Sequence, residues 1–289
     1  MVSILGRPNV GKSTLLNALV GEKVAIVAPK PQTTRTRICG VYNYSGTQIV
    51  FVDTPGFHKP RNALGEFMTG IVNNAASGVD CVLLIVPPEP TVGTQERLLI
   101  ERTKNQPCVL VINKSDTVHD KKDLLPVIAA YQNEREFEAV VPISAEKRDG
   151  LDVLLDVIMP FIPEGEPLFP PDMTSDQSDE TFVSELIREK LLRLLDREVP
   201  HGAAVMVERF GRREDGLLEC EATILCEKRS HKGIIIGKNG ECLGRIGKSA
   251  RLELERLYGE KLFLNLWVKV KENWRDNAGI LRGLGYTDR

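Results

Sequence analysis

A glycine-rich stretch near the start of the chain has the spacing of a phosphate-binding loop. It fits the pattern G-x-x-x-x-G-K-[ST] and consists of Gly6, Arg7, Pro8, Asn9, Val10, Gly11, Lys12 and Ser13. The apolar residues before it predict a buried strand, and the residues from Thr14 onward predict a helix. Glycine lets the backbone turn tightly around a phosphate, which then faces the helix N-terminus. This pattern predicts that Lys12 reaches the β- and γ-phosphates of a nucleotide and that Ser13 holds Mg²⁺.

A second candidate contact for phosphate and metal follows the apolar strand predicted at 48–52. It consists of Asp53, Thr54, Pro55 and Gly56. A carboxylate at the C-terminal end of a strand, beside a phosphate loop, is placed to hold Mg²⁺ through water. Gly56 can give its backbone N–H to a γ-phosphate. The polar segment at 29–37 has few apolar anchors, so we predict that it is a mobile loop.

The next motif predicts which base is bound. It follows the apolar strand predicted at 108–112 and consists of Asn113, Lys114, Ser115 and Asp116. The Asp116 carboxylate can accept from N1–H and the N2 amino group of guanine, a pair of donors that adenine does not present. Asn113 would tie this loop to the phosphate loop, and the stem of Lys114 would cover the base. After the last predicted strand, Ser144 and Ala145 can offer a backbone N–H to guanine O6.

The elements around these motifs predict two domains. Apolar strand-like runs alternate with helical stretches from the start to about residue 162, which predicts an α/β domain with a mixed, mostly parallel sheet and helices on both faces. The proline-rich and polar segment 163–180 predicts a connector, and 181–289 a smaller α+β domain. Six scattered cysteines without a C-x-x-C predict reduced thiols in the cytosol. We find neither an apolar run of membrane-spanning length nor a pattern typical of a secretory signal.

Charge is unevenly distributed along the chain. The net charge is −2, but residues 181–289 carry 21 Lys and Arg against 17 Asp and Glu. Basic side chains concentrate at 228–251, where seven stand against one acid. Such a patch on an acidic chain favours a polyanion as the partner of the second domain.

A glycine pair inside this basic region predicts an RNA contact. Gly237 and Gly240 flank Lys238 and Asn239 between two predicted helices, which is the G-x-x-G arrangement that clamps a nucleic-acid backbone. The glycines permit a tight turn that a backbone can approach, and Lys238 would neutralise phosphate. We predict that further RNA contacts come from neighbouring apolar and basic residues, namely Ile234, Ile235, Ile236, Lys232, Arg245 and Lys248.

The last predicted strand, at 263–270, carries two aromatic residues at a spacing of four. Phe263 and Trp267 fall on one face of this strand because side chains alternate with period two. We expect both in the core of the second domain and not on a stacking platform for bases.

These motifs resemble, in order and spacing, the G domain of the translation-factor-related GTPases, and the second half resembles a type II KH domain. The whole chain is similar to the Era-type ribosome-assembly GTPases, on the stretches 6–13, 32–35, 187–192, 199–201, 233–240 and 266–277. The resemblance implies a P-loop GTPase with slow intrinsic hydrolysis of GTP to GDP, using Mg²⁺. It also implies a monomer whose KH domain binds the single-stranded 3′ end of 16S rRNA during assembly of the 30S subunit. Peripheral attachment to the inner membrane is implied as well, although no convincing amphipathic basic helix is found.

The resemblance implies that residues 32–36 form the first switch. We choose Thr34 as its contact to Mg²⁺, with Thr33 as the alternative. Phe57 stands where Ras-like GTPases place a glutamine that orients water, and a phenyl ring cannot hydrogen-bond water. Catalysis would then rely on Lys12, Mg²⁺, other donors such as Gly56, or an added ion. In similar GTPases that lack the glutamine, the residue at Asn9 helps to hold K⁺, so we hypothesise hydrolysis stimulated by potassium.

Two other functions compete with this prediction. One is a signalling or membrane-associated regulatory GTPase whose C-terminal domain binds a protein. The other is a tRNA-modification GTPase, which the lack of an added cofactor domain and of a nucleophilic cysteine motif disfavours. The sequence leaves open which RNA sequence is read and how GTP and RNA affinity are coupled.

Overall fold

The computed structural model describes residues 1–56 and 60–286, which form two compact units. The first unit contains residues 1–25, 34–60 and 68–176, and the second contains 26–33, 61–67 and 177–289. We predicted a first domain up to residue 162, a linker and a second domain. The structure differs in that the short segments 26–33 and 61–67 pack with the second unit. It differs also in residues 163–176, which pack with the first unit.

The first unit is built on a six-stranded sheet in the order β2-β3-β1-β4-β5-β6. Strand β2 pairs antiparallel with β3, and the other neighbouring strands pair in parallel. The strands are β1 Val2–Leu5, β2 Ile38–Tyr44, β3 Thr47–Asp53, β4 Cys81–Val86, β5 Cys108–Ile112 and β6 Ala139–Pro142. The carboxyl ends of β1, β3 and β5 therefore carry the three predicted nucleotide motifs.

Apolar clusters cover both faces of this sheet, because side chains of a strand alternate between faces. Leu83 of β4 belongs to the cluster that contains Leu15, while its neighbour Leu84 belongs to the cluster that contains Leu99 and Val127. The helices of the chain that begin before residue 160 are α1 Lys12–Val20, α2 Ala63–Asn74, α3 Thr94–Arg102, α4 Leu125–Gln132 and α5 Leu151–Ile158. The predicted α/β fold with helices on both faces is confirmed. Helix α4 is absent from the sequence prediction, since it is short and has proline near its start.

The predicted connector is held along the edge of this sheet. Val41 N donates to Thr174 O at 2.9 Å, and Cys39 N donates to a carboxylate oxygen of Asp176 at 3.0 Å. The amide of Gln48 exchanges two hydrogen bonds of 2.9 Å with the backbone of Phe169. The segment thus covers edge strand β2, which would otherwise expose unpaired backbone groups.

The second unit packs helices on one face of a three-stranded sheet in the order β7-β8-β9. Strands β7 and β8 are antiparallel, whereas β8 and β9 are parallel. From residue 177 onward the helices and strands are α6 Asp179–Leu194, β7 Ala203–Arg212, β8 Leu218–Cys226, α7 Arg229–Ile236, α8 Glu241–Tyr258, β9 Leu262–Val270 and α9 Ala278–Gly283. This order, with two strands before the paired helices and one after, is that of the predicted type II KH domain.

The prediction for the aromatic residues of β9 is wrong. Phe263 and Trp267 are 41% and 39% exposed, whereas Leu262 and Val268 are buried. The period of two is correct, but the aromatic side chains face away from the helices. The guanidinium of Arg213 lies over the Phe263 ring, 4.2 Å from its centroid.

Candidate functional site

The phosphate loop between β1 and α1 folds around the side chain of Lys12. Lys12 Nζ donates to Gly6 O at 3.0 Å and to Arg7 O at 3.1 Å. Burial lowers the pKa of Lys12 to about 8, an effect that the nearby Asp53 charge opposes. The ammonium group is therefore poorly hydrated and available to a phosphate anion.

Two glycines of this loop leave no room for a side chain. A Cβ on Gly6 would lie 2.5 Å from Ile85 O, and one on Gly11 would lie 2.2 Å from the Asn113 amide nitrogen. Gly11 also has φ of +100°, a conformation that favours glycine. The sequence pattern therefore reflects close approach of β4 and of the Asn113 loop.

Three oxygen-bearing side chains meet at the start of α1. Ser13 Oγ donates to Asp53 Oδ2 at 2.6 Å, and it lies 2.8 Å from Thr34 Oγ1. Asp53 Oδ1 is buried and has no hydrogen-bond partner among the described residues. Burial raises the pKa of Asp53, against the opposing effects of Lys12 and of the two hydroxyl groups. A buried carboxylate with a free oxygen, beside two hydroxyls, fits a Mg²⁺ ion, which prefers oxygen ligands.

The geometry distinguishes the two candidate threonines. Thr34 is 6% exposed, and its hydroxyl lies 3.3 Å from Asp53 Oδ2. Thr33 instead donates its hydroxyl to Lys30 O at 2.6 Å and to Ala28 O at 3.3 Å. The structure therefore favours Thr34 as the metal contact. Thr34 and Arg35 are both buried, so these two residues of the predicted mobile loop are packed.

The run after β3 lies against the phosphate loop. A Cβ on Gly56 would approach the backbone and ring of Pro8 to 2.8 Å, and Thr54 donates its hydroxyl to Ile4 O at 3.2 Å. The buried Pro55 lies between them. The backbone of Gly56 is therefore close to Pro8 of the phosphate loop. Phe57, which we predicted to replace the usual glutamine, lies outside the described residues.

Asn113 joins three loops of the predicted nucleotide site. Its amide nitrogen donates to Val10 O at 2.7 Å, and its oxygen accepts from Ala145 N at 3.0 Å. Lys114 Nζ donates to Asn9 O at 2.9 Å, so its side chain also crosses toward the phosphate loop, a contact that we predicted only for Asn113. Asn9 has φ of 65° and is exposed.

The groups predicted to meet the base have different surroundings. Asp116 is exposed, in a short turn that begins at Ser115, whose N–H donates to Ile143 O at 3.0 Å. Ser144 is buried, and its hydroxyl accepts from Lys147 N at 3.2 Å. The backbone bond from Ser115 to Ile143 therefore joins the two loops, while the Asp116 carboxylate stays accessible to a ligand.

The G-x-x-G turn joins α7 and α8 of the second unit as predicted. Gly237 has φ of 74° and ψ of 177°, and Gly240 has φ of 80° and ψ of 8°. A Cβ on Gly237 would lie 2.7 Å from Cys242 Cβ, whereas one on Gly240 would meet nothing within 4 Å. Asn239 between them also has a positive φ, 53°. The first glycine is thus required by packing as well as by backbone conformation.

The predicted RNA residues differ in their access to a ligand. Lys238, Arg245 and Lys248 are exposed, Lys232 is half-buried, and Ile234 is 51% exposed. Ile235 is completely buried in the apolar core of the second unit, and Ile236 packs partly against that core. The predicted contact of Ile235 with RNA bases is therefore wrong, because its side chain faces inward on α7.

A buried polar network of the second unit was not predicted. The Arg188 guanidinium donates to Gln32 O at 3.5 Å, to Thr33 O and to Glu185. Glu189 is completely buried and accepts from Val27 N at 3.0 Å. The charged run 185–190 looks like the solvated face of an amphipathic helix in sequence. In the structure it binds the backbone of segment 26–33, which ends beside Thr34.

Comparison with known proteins agrees with both halves of this description. Residues 1–114 match the family model for a 50S ribosome-binding GTPase, and residues 198–275 match that for a KH domain. Fold and site thus define a P-loop GTPase that carries a KH domain. The described residues contain no helix long and apolar enough to cross a membrane.

Full-length relatives narrow this class. The chain is 48% identical over 287 residues to GTPase Era of Ruminiclostridium cellulolyticum, covering 99% of this chain and 96% of that protein. It is 48% identical over 291 residues to GTPase Era of Clostridioides difficile strain 630, covering 100% and 98%. The chain belongs to the Era family of GTPases.

Two solved structures of Era are also similar along the whole chain. One is a variant of Aquifex aeolicus Era bound to GDP·AlF4⁻, at 39% identity and a TM-score of 0.95. The other is Era in complex with MgGDPNP and nucleotides 1506–1542 of 16S ribosomal RNA, at 38% identity and a TM-score of 0.95. Each covers 99% of this chain and 98% of the solved one.

Proposed function

We propose that this GTPase binds the single-stranded 3′ end of 16S rRNA through its KH domain and assists maturation of the 30S subunit. The observation that carries the proposal is the turn from Gly237 to Gly240, with Lys238 exposed at its tip and Arg245 and Lys248 exposed beyond it. The related Era that was solved with a fragment of 16S rRNA supports the choice of this RNA. Peripheral membrane attachment stays a prediction from the resemblance.

The nucleotide site supports binding of GTP with Mg²⁺. Lys12 and the loop from Gly6 to Ser13 would hold the phosphates, while Asp116 would select guanine. Ser13, Thr34 and Asp53 would hold Mg²⁺, which when bound neutralises charge on the phosphate oxygens. Thr34 would complete this set, because its hydroxyl lies 2.8 Å from Ser13 Oγ and 3.3 Å from Asp53 Oδ2.

The proposal is tested by reversing the charge at the tip of the turn. We expect Lys238→Asp to weaken binding of a 3′-end 16S oligonucleotide by about tenfold or more and to reduce the salt dependence of affinity, because a phosphate contact is lost. Lys261→Asp is the matched control. Lys261 follows the far end of α8, about 27 Å along an 18-residue helix, and its side chain is 83% exposed.

Fluorescence anisotropy with labelled RNA, at several salt concentrations, measures both variants. Unchanged affinity and unchanged salt dependence in Lys238→Asp would contradict the RNA proposal. A protein partner of the second unit would then be the better hypothesis.

We further propose that potassium stimulates GTP hydrolysis by this chain. Asn9 is an exposed residue of the phosphate loop, and its carbonyl oxygen accepts a hydrogen bond from Lys114 Nζ. We expect kcat in KCl to exceed kcat in NaCl of equal ionic strength by about fivefold or more, because an added cation would stabilise charge in the transition state. Equal rates in the two salts would refute the proposal. The two rates are measured as phosphate release at saturating GTP.

A further inference from the structure

Arg7, the second residue of the phosphate loop, is held by two carboxylates from other elements. Its Nη2 donates to Glu89 Oε2 at 2.9 Å, and its Nε lies 3.4 Å from Glu96 Oε1. Glu89 comes shortly after β4, and its side chain is 61% exposed. Glu96 lies in the first turn of α3, and its side chain is 4% exposed. The two carboxylates therefore contribute unequally, since an exposed ion pair adds little.

Glu96 is the unusual member of this group. A carboxylate is rarely buried unless it is paired, because desolvation disfavours its charge. Arg7 is the cation that pairs with it among the described residues. Glycine at 93 makes room for it, since a Cβ there would lie 2.7 Å from Glu96 Oε2. The N-terminus of α3 further favours the negative charge at this position.

Buried side chains of α3 and α4 are found near Glu96, whose Oε1 pairs with Arg7 at 3.4 Å without a hydrogen bond. Leu99 and Ile100 of α3 and Tyr131 of α4 belong to the same buried apolar cluster. The Tyr131 hydroxyl is buried and has no hydrogen-bond partner among the described residues. Burial raises the pKa of Tyr131, with Glu96 next in effect, so the phenol stays neutral. The carboxylate is thus buried, and Arg7 is its ion-pair partner among the described residues.

The opposite end of the contact is part of the phosphate loop itself. The carbonyl oxygen of Arg7 is one of the two acceptors for Lys12 Nζ, at 3.1 Å, and that of Gly6 is the other, at 3.0 Å. The path of the Lys12 side chain is therefore set by the position of the Arg7 peptide. A guanidinium anchored on Glu96 restricts how that peptide can move.

We propose that Glu96 is a positioning residue for GTP hydrolysis, acting through Arg7 on the peptide that holds Lys12. Among the described residues, Glu96 forms an ion pair with Arg7 and none with Lys12. Its effect is to keep the ammonium aligned with the phosphates when charge develops in the transition state. This inference rests on the GTPase activity of the family and assigns Glu96 a role in that activity.

A double-mutant cycle tests the inference. The variants are Glu96→Gln, Arg7→Gln and the two combined, measured in the full chain beside the wild type. We expect each single variant to lower kcat by about tenfold, since misalignment of a catalytic group is costly. GDP affinity should change by less than about threefold, because the ammonium charge and the backbone N–H groups remain. The combined variant should be no slower than either single variant, as for residues that act through one contact.

Glu101→Gln is the matched control, because Glu101 lies on the same helix and its side chain is 68% exposed. It should hydrolyse GTP at the wild-type rate. Wild-type kcat in Glu96→Gln overturns the inference, and so do losses that multiply in the combined variant. A fall in activity that only follows a lower Tm, with GDP affinity lost in parallel, also overturns it.

Two further readouts keep the test decisive. If Glu96→Gln does not fold, Arg7→Gln is used for the test, since Arg7 is half-exposed. A lower kcat with unchanged GDP affinity in Arg7→Gln supports the inference, and an unchanged kcat overturns it. An inactive wild type with GTP and Mg²⁺ would instead contradict the underlying GTPase activity.

Discussion

Replacing Asp116 with asparagine will lower the affinity for GTP by about 100-fold, about 2.8 kcal/mol, and raise the affinity for xanthosine triphosphate. The reason is the pattern of donors on the base. Guanine presents N1–H and an N2 amino group to the carboxylate, whereas xanthine carries an oxygen at C2 that can accept from an asparagine amide. Asp116 is exposed, so the substitution removes no buried interaction of the protein.

Competition with labelled GDP and with XTP measures this exchange. The gain for XTP separates a change of base selection from damage to the site. Asp156→Asn is the control, because Asp156 is an exposed carboxylate on α5. If Asp116→Asn binds GTP like the wild type, the base is read elsewhere.

Replacing Gly237 with alanine will weaken RNA binding more than replacing Gly240 with alanine. At Gly237 the φ and ψ of 74° and 177° are essentially restricted to glycine, and a Cβ would meet the backbone nitrogen of Cys242 at 2.9 Å. We expect a loss of RNA affinity of about 30-fold or more, with about 2 kcal/mol of lost stability from backbone strain. Gly240→Ala should cost about 1–2 kcal/mol through its left-handed conformation alone.

Gly259→Ala is the matched control for strain without RNA contact. Gly259 ends α8 with φ of 71° and ψ of 11°, close to the values at Gly240, and open space surrounds it. It should lose as much stability as Gly240→Ala and keep full RNA affinity. Urea unfolding and RNA anisotropy, measured on all three variants, give both quantities. Equal RNA affinity in Gly237→Ala and Gly259→Ala would contradict a role of the turn.

The nucleotide motifs were predictable because each one is short, local and carries its own chemical logic. Asn113 was expected to tie its loop to the phosphate loop, and it does so by bonding Val10 O. The face of β9 was not predictable in the same way. Alternation groups Phe263 with Trp267, but the choice of inner face depends on which neighbours α8 offers to Leu262 and Val268.

Polar contacts between residues far apart in the chain were the least predictable from the sequence. Glu96 is three residues into an ordinary amphipathic helix, and its partner Arg7 lies 89 residues earlier. Buried charge has no periodic signal, since Arg188 and Glu189 occupy helix positions that a solvated face would also fill. Thr34 and Thr33 are likewise equivalent in sequence, and only the positions of Ser13 and Asp53 separate them.

The network on α6 limits how this protein can be divided. Arg188 and Glu189 are completely buried, and their backbone partners Thr33 and Val27 lie in segment 26–33. A second unit that consisted of residues 177–289 alone would lack these two backbone partners, although Arg188 would keep its contact with Glu185. A chimera that exchanges this unit between relatives must therefore carry segment 26–33 from the same parent. The unit that packs together thus extends beyond residues 198–275, which the KH family model matches.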